Sequence, residues 1–594
     1  MPPHAPRNRS STARRTRHPE LAEYYANELA YLHDAARAFA QSHPNDAARL
    51  LEQSEDPDVE RLLEGVAFLT AGVRARIDQA SDHVAHGLAE LILPHFLRSL
   101  PSATIVEFTP HAKSLRARYH IPRERRLTAR PIDGTACTFR TCLDVDLWPL
   151  SVRDAYFQHP TGRPPRIDLQ LDLVDTSAAV LQEDPHPLRL FIHRPNSPLP
   201  ATLLLWLTRH LKAIYLRSGE GAPVTLEPSA LRPLDGAEAA IFPWTETAPV
   251  GYRSVLEFFA IPEKFCFLDL SGLEKVEIDG DRLTISFELD SPPPLTAAID
   301  RDTFRLHCTP ALNLFEAPAV PITINPLGRE ALIRADGIDP RHTEVYEVLS
   351  VTSMGSVGGG RKELAPFTRQ ASTPKRESTF ALRRTPSPHD GNVDTFLTLS
   401  AASDPRAAPD YGDELLSVEL LCTNRGLAGE LRQGDLAETL QAGPLQAYRN
   451  ITDPSPPVPL ALGSEALWRL LSHMSLNQRG PADADALREL LHLYNFHALT
   501  RADRGPLNAR QIDSIRELTR EPVTRTIRGV PMRATKLKVE LDERNFGGLG
   551  GAYLFGQVLD DLFGSFVPLN AASELVLILH PSRREYSWPV RIGA

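Results

Sequence analysis

The residues able to do chemistry are few and scattered. Glu540 and Asp542 stand two apart at the end of a predicted strand, with Glu543 beside them. Strand alternation puts Glu540 and Asp542 on one side, a placement that acid–base hydrolysis could use. A solvated strand end gives the same pattern. Cys137-x4-Cys142 has the spacing of half a metal site, but no second pair completes the four ligands of a closed zinc centre. Two ordinary thiols in a β segment account for it. His83-x2-His86 shares a helical face without a carboxylate or third ligand nearby.

The loop Phe546-Gly547-Gly548-Leu549-Gly550-Gly551 follows a strand and precedes a helix. Backbone amides cradle phosphate in such a setting. Its spacing is GGxGG, however, and no Lys or Arg follows until Arg583. We read Gly547, Gly548, Gly550 and Gly551 as a structural loop, with a positive φ or a neighbouring backbone in close approach. The chain has no GxSxG elbow, HExxH pair or Walker lysine loop. Local chemistry thus points away from an enzyme and implies no catalytic residue, cofactor or metal.

The elements that would position these residues sit in a chain of 594 residues, 42% hydrophobic and 24% charged. Those are globular proportions with length for several domains. Lys+Arg is 65 against Asp+Glu 75, a net charge of −10, which is a poor footprint for nucleic acid. Five cysteines, Cys137, Cys142, Cys266, Cys308 and Cys422, are too few and too spread for a disulfide scaffold. They fit a reducing compartment. No apolar run approaches 18 residues, so no direct membrane insertion is expected. Residues 1–18 carry five arginines and no acid before Glu20, without an apolar core, and read as a disordered basic tail.

Residues 19–104 predict a helical region. Asp56 can cap a helix with Pro57 at its first position. Val59, Leu62, Leu63, Val66, Leu69, Val73 and Ile77 then recur at steps of three and four, which predicts one buried face. Phe68 falls about 180° from Val59, flanked by Gly65 and Gly72. A large aromatic beside two glycines suggests the close approach of a second helix, either the one from Pro19 in the same chain or one from a partner, and in the second case Gly65, Phe68 and Gly72 are interface candidates. Two further helices are expected, over 19–41 and 81–97.

Residues 105–354 read as a β-rich mixed domain. Ile167, Leu169, Leu171 and Leu173 alternate with polar residues. Further strands are predicted over 188–193, 254–259, 265–270, 283–289 and 304–308, with a helix over 201–216. Residues 355–414 read as a Gly/Pro-rich loop or linker. Residues 415–594 read as a C-terminal α/β domain, with a strand over 415–422, helices over 464–476, 484–496 and 553–566, and strands over 536–541, 574–580 and 585–592. The fold class is α+β and multidomain: an N-terminal helical region, mixed β-rich domains and a C-terminal α/β region.

Several stretches together carry a resemblance. They are Tyr24-Tyr25-Ala26-Asn27-Glu28-Leu29, the run Asp56-Pro57-Asp58-Val59-Glu60-Arg61-Leu62-Leu63-Glu64-Gly65, and Pro94-His95-Phe96 with Pro101-Ser102. Cys308-Thr309-Pro310-Ala311-Leu312-Asn313, Tyr346-Glu347-Val348, Phe546-Gly547-Gly548 with Tyr553-Leu554-Phe555-Gly556, and Trp588-Pro589 follow in order. Over nearly its whole length the chain resembles the TssF (ImpG) family, baseplate wedge subunits of bacterial type VI secretion systems, themselves similar to wedge proteins of contractile-tail phages. The resemblance implies a cytoplasmic scaffold recruited to a baseplate docked at the inner membrane. It implies pairing with TssG and a second TssF copy, and assembly with TssE and TssK around the VgrG hub to prime tail tube and sheath assembly. It supplies no catalytic residue. The alternatives are a hydrolase-like enzyme with a site near Glu540 and Asp542, and a wedge subunit of another contractile injection system.

Overall fold

The alternation at residues 166–173 forms strand Arg166–Leu173, with Ile167, Leu169 and Leu171 fully buried. Its register sets Ile167 opposite Phe287 and Leu169 opposite Ile285, so one apolar row runs across neighbouring strands. The structure, a computed structural model, describes residues 19–42, 61–74, 89–90, 93–111, 115, 117–173, 181–182, 184–219, 221–234, 239–244, 249–323, 330–354, 361–366, 379–387, 393–400, 415–439, 443–460, 480–499 and 504–593. The predicted basic tail, the start of the helix at Asp56, His83 and His86, and the helix over 464–476 lie outside them.

The fold is mixed α+β and rich in strands. Strands Leu150–Gln158, Arg166–Leu173, Arg282–Leu289, Leu211–Ser218 and Val224–Leu226 make a five-stranded antiparallel sheet. A six-stranded sheet sets Ala103–Pro110 between Cys308–Leu312 and Leu445–Asn450. An eight-stranded sheet is built on the pairing of Glu344–Met354 with Leu415–Thr423. The last sheet sets strand Val530–Asp542 between Ile515–Ile527 and Ala572–His580. Among the described residues three apolar cores result. One surrounds the six-stranded sheet, one the eight-stranded sheet, and the largest runs from Ala89 to Trp588.

Seven helices are used below. They are α1 (Pro19–Ser42), α2 (61–74), α3 (Leu199–Arg209), α4 (Val250–Ala260), α5 (Ala484–Tyr494), α6 (Arg504–Asp513) and α7 (Leu549–Gly564). Helix α7 packs on both α3 and α4. Glycines make that approach possible. A Cβ on Gly550 would lie 2.4 Å from the backbone of Ala201 and Thr202 in α3. One on Gly251 of α4 would lie 2.5 Å from the Asp561 carbonyl and 2.6 Å from Leu562 Cα of α7.

Four expectations are corrected. Residues 254–259 are helix α4, not a strand: both flanks are covered, so the helix is apolar nearly all round and its short window loses the helical period. The helix predicted over 201–216 ends at Arg209, and Leu211–Ser218 is a strand. The segment 355–414, read as a linker, holds strands Arg361–Pro366, Thr379–Pro386 and Val393–Ser400. Phe380 and Leu397 from these strands enter a core, so the local proline and arginine content misled. A domain boundary at 415 also fails, because Leu415–Thr423 and Leu445–Asn450 return to sheets begun by earlier strands.

The glycine contacts generate a stability prediction. Gly550→Val should destabilise the chain by about 1–3 kcal/mol or more, since neither helix backbone can yield locally. Gly426→Ala, at a position with nothing within 4 Å of the added carbon, is the control. Thermal unfolding of the two variants checks this, and equal transitions would show that α7 and α3 separate easily.

Candidate functional site

Helix α2 presents two opposed faces. Ala67 and Ala71 are fully covered, and Arg74 on the same face bonds Glu28 of α1 at 2.9 Å. Leu62, Val66, Leu69 and Val73 lie on the other side at spacings of four, three and four, the a/d seam of a coiled coil. They are 70%, 40%, 69% and 58% exposed. The face predicted as buried is therefore open in the single chain, and the small alanine face is the one covered. Periodicity identifies an apolar face but not which chain covers it. Phe68 is 57% exposed, and Gly65 and Gly72 have nothing within 4 Å of an added Cβ. Tyr31 and Phe39 of α1 are exposed as well. The two helices form an arm rich in uncovered apolar surface.

The stretch that follows ties into the body through charge. Arg98 bonds Glu347 at 2.7 Å and lies over the Tyr346 ring at 5.4 Å. Arg384 reaches Glu90 at 3.5 Å. These pairs join residues 90–98 to two strands of the eight-stranded sheet. Sequence inspection missed both, because the partners lie some 250 to 290 positions apart.

The candidate chemical groups are engaged elsewhere. Asp542 accepts bonds from Arg516 and Arg544 and caps the short turn after it. The Arg544 guanidinium holds its carboxyl well below the usual range, opposite to the shift a general acid needs. Glu540 pairs with His580 at 2.9 Å. The two carboxylates thus have separate partners, an imidazole for Glu540 and two guanidinium groups for Asp542. Gly547 and Gly548 have φ of 72° and 120°, and Gly551 sits where a Cβ would meet the Phe546 carbonyl at 2.1 Å. The loop turns tightly to deliver α7 onto α3. Cys137 is buried, and burial is the main force pushing its thiol and that of Cys142 up to about 12, away from the thiolate that binds metal. Among the described residues no cluster of three or more His, Cys, Asp or Glu could hold a metal ion. No described helix is long and apolar enough to cross a membrane.

Two buried features were not anticipated. Lys264 and Glu257 are paired in full burial. Lys264 also donates to the Ala239 carbonyl at 3.3 Å, and Glu257 accepts the Ile241 N–H at 2.8 Å and the Phe242 N–H at 3.2 Å. The pair clamps segment 239–242 onto α4. Four histidines are buried, His95, His193, His307 and His497, and burial lowers the pKa of each. His95 stacks on Trp244 at 4.1 Å, and burial, then Arg98, pushes it down to about 3. Burial pushes His307 down to about 4, and its Nε2 accepts the Trp148 N–H at 3.0 Å. His497 is also held near about 4, by burial and then Arg504.

The family described as "Type VI secretion system, TssF" matches residues 17–594. The type VI secretion system component TssF1 of Pseudomonas aeruginosa is 31% identical, covering 97% of this chain and 99% of that protein. A chain from a cryo-electron microscopy structure of a type VI TssK-TssF-TssG baseplate subcomplex superposes with TM-score 0.73 at 28% identity, covering 90% of this chain and all of that one. A chain of a type VI baseplate complex gives TM-score 0.64 at 26% identity, covering 96% and 100%. Fold and sequence together define a component of a type VI secretion baseplate. The chain belongs to the TssF family.

The buried histidines set a pH dependence. Their folded pKa values lie below the unfolded value, so the unfolded chain binds more protons between about pH 6.5 and 4. Stability should fall as pH drops through that window, by up to about 1.4 kcal/mol per pH unit for each histidine. His307→Gln keeps an acceptor for Trp148 and should flatten the slope by one histidine's share. Denaturant unfolding at about pH 6.5 and 4.5 measures it, and an unchanged slope would remove His307 from the account.

Proposed function

We propose that the chain is a structural wedge subunit of the baseplate and that α2 is a docking helix for a partner helix. The observation that carries this is the outward-facing seam Leu62, Val66, Leu69 and Val73. Each such side chain is stabilised by about 1.5–3 kcal/mol on moving from water into a packed contact. Four in register on one helix are far more than an isolated surface helix needs. Taking Ala67 as zero, the seam lies at about 200–260°, Gly65 and Gly72 at about 140–160°, and Phe68 at about 100°. A helix seated on the seam would meet the two glycines beside it, where no side chain holds it off. Phe68 would close the border.

TssG is the proposed owner of that helix, since TssG and TssK accompany TssF in the solved subcomplex. In the family's pattern a second TssF copy and TssE complete the wedge, wedges surround the VgrG hub, and the assembled baseplate, docked at the inner membrane, primes the tube and sheath. The work is done by binding energy, without a catalysed reaction. The competing hydrolase reading is weakened because Glu540 and Asp542 are engaged by separate partners, His580 and Arg544.

Isolated chain should self-associate, and co-expression with TssG should yield a soluble complex. Leu69→Asp should abolish co-purification with TssG while leaving the chain's own thermal transition nearly unchanged, because Leu69 is already exposed. Phe68→Asp, at the border, should weaken binding less. Undiminished co-purification of the Leu69 variant would refute α2 as the docking helix.

A further inference from the structure

A second surface lies far from the arm in sequence. Strands Ile515–Ile527 and Val530–Asp542 form a long hairpin, whereas the third strand of that sheet reaches only to Ala534. Beyond Ala534 the hairpin is a two-stranded ribbon. Its start is covered by α5 and α6, which pack against Ile515–Ile527, and Arg520 donates to the Pro481 carbonyl there. The outer side of Pro522–Ile527 has no strand beside it among the described residues.

The backbone pattern says what that side offers. Ile527 and Val530 flank a two-residue turn, with Arg528 and Gly529 at φ 50° and 81°. Such a pair exchanges hydrogen bonds, and the pattern alternates down the ladder. Pro522, Thr524 and Thr526 therefore turn their backbone groups outward. Pro522 has no N–H to offer and ends the available edge. Thr524 and Thr526 leave two N–H and two C=O groups facing outward, the spacing of one added strand.

Charge says what strand would fit. Residues 522–536 contain Arg525, Arg528, Arg533 and Lys536 and no acid, on a chain of net charge −10. Arg525 is held by Glu574 at 2.6 Å. Arg528 and Arg533 make no ion pair among the described residues. Arg528 also takes up a left-handed conformation that favours glycine or asparagine, so an arginine there is unexpected for the turn alone. Val523, Ile527, Val530 and Met532 share one face of the ribbon, with Val530 exposed. Arg533, paired with Thr524, lies on the opposite face and Arg528 in the turn, and an edge with one apolar face and flanking cations suits a protein strand better than a phosphate backbone.

We propose that the outer edge of Pro522–Ile527 takes up an extended, acidic segment of a partner protein as an added strand. Its outward N–H and C=O groups bond to Thr524 and Thr526, and its carboxylates face Arg528 and Arg533. This surface is separate from α2, so the Leu69→Asp variant should retain it and the two readings fail independently.

The test uses the full chain, purified with TssG and, for Leu69→Asp, without it, and a fluorescein-labelled peptide of alternating glutamate with threonine or valine. Fluorescence anisotropy should show saturable binding that weakens as salt shortens the screening length. The same peptide N-methylated at alternate residues should not bind. Arg528→Glu with Arg533→Glu should weaken binding about tenfold or more. Thr524→Pro, which removes an outward N–H but no ladder bond, should also weaken it, with thermal transitions unchanged. Three results would each overturn the proposal: no saturable binding, equal binding of the N-methylated peptide, or tighter binding of single-stranded DNA of similar charge.

Discussion

Helix α7 reaches the middle of the chain because two side chains are missing. Gly550 lets it touch the α3 backbone and Gly251 lets it touch α4. Side chains on Ala552, Phe555, Val558, Leu559 and Leu562 then complete a core to which residues from 89 to 588 contribute. Interiors at such packing density do not deform gradually. The C-terminal strands, the glycine loop and helices α3 and α4 therefore form one packed block.

Against that block the arm is differently made. The Arg74–Glu28 ion pair joins α2 to α1, the α2 alanines are covered, and its larger apolar side chains are exposed. Arg98 and Arg384 hold the stretch after it to the eight-stranded sheet, where nearby carboxylates and an aromatic ring receive them. A buried charge is costly without its partner, so this junction has one favourable arrangement. The Lys264–Glu257 clamp follows the same logic inside the block. Burial is concentrated in the block, while large exposed apolar side chains gather on α1 and α2.

Strands with clean alternation were legible in the sequence. Arg166–Leu173 and Arg282–Leu289 follow from their residues, as do the apolar spacing of α2 and the tight glycine turn. Helix α4 was not legible, because burial on all sides erases period. The strands within 355–414 were hidden by proline and arginine content, although Phe380 and Leu397 anchor them. Helix α6, whose Arg504-Gly505-Pro506 start resembles a loop, was also missed. The site was half legible: spacing found the seam of α2, but solvent exposure depends on which chain lies opposite. Long-range partners such as Arg98 with Glu347 leave no local trace. The family resemblance supplied what periodicity could not, since ordered motifs from Tyr24 to Trp588 constrain a whole fold at once.

The position of strand Ala103–Pro110 bears on how the molecule is made. It lies between Cys308–Leu312 and Leu445–Asn450, so its sheet closes only after a segment translated some 340 residues later arrives. At about 5–20 residues per second, that interval is roughly 17 to 70 seconds. Throughout it the arm has already left the ribosome, with its apolar seam accessible. A nascent chain of this design presents its apolar seam long before its own body is complete, so the order of synthesis exposes that surface first.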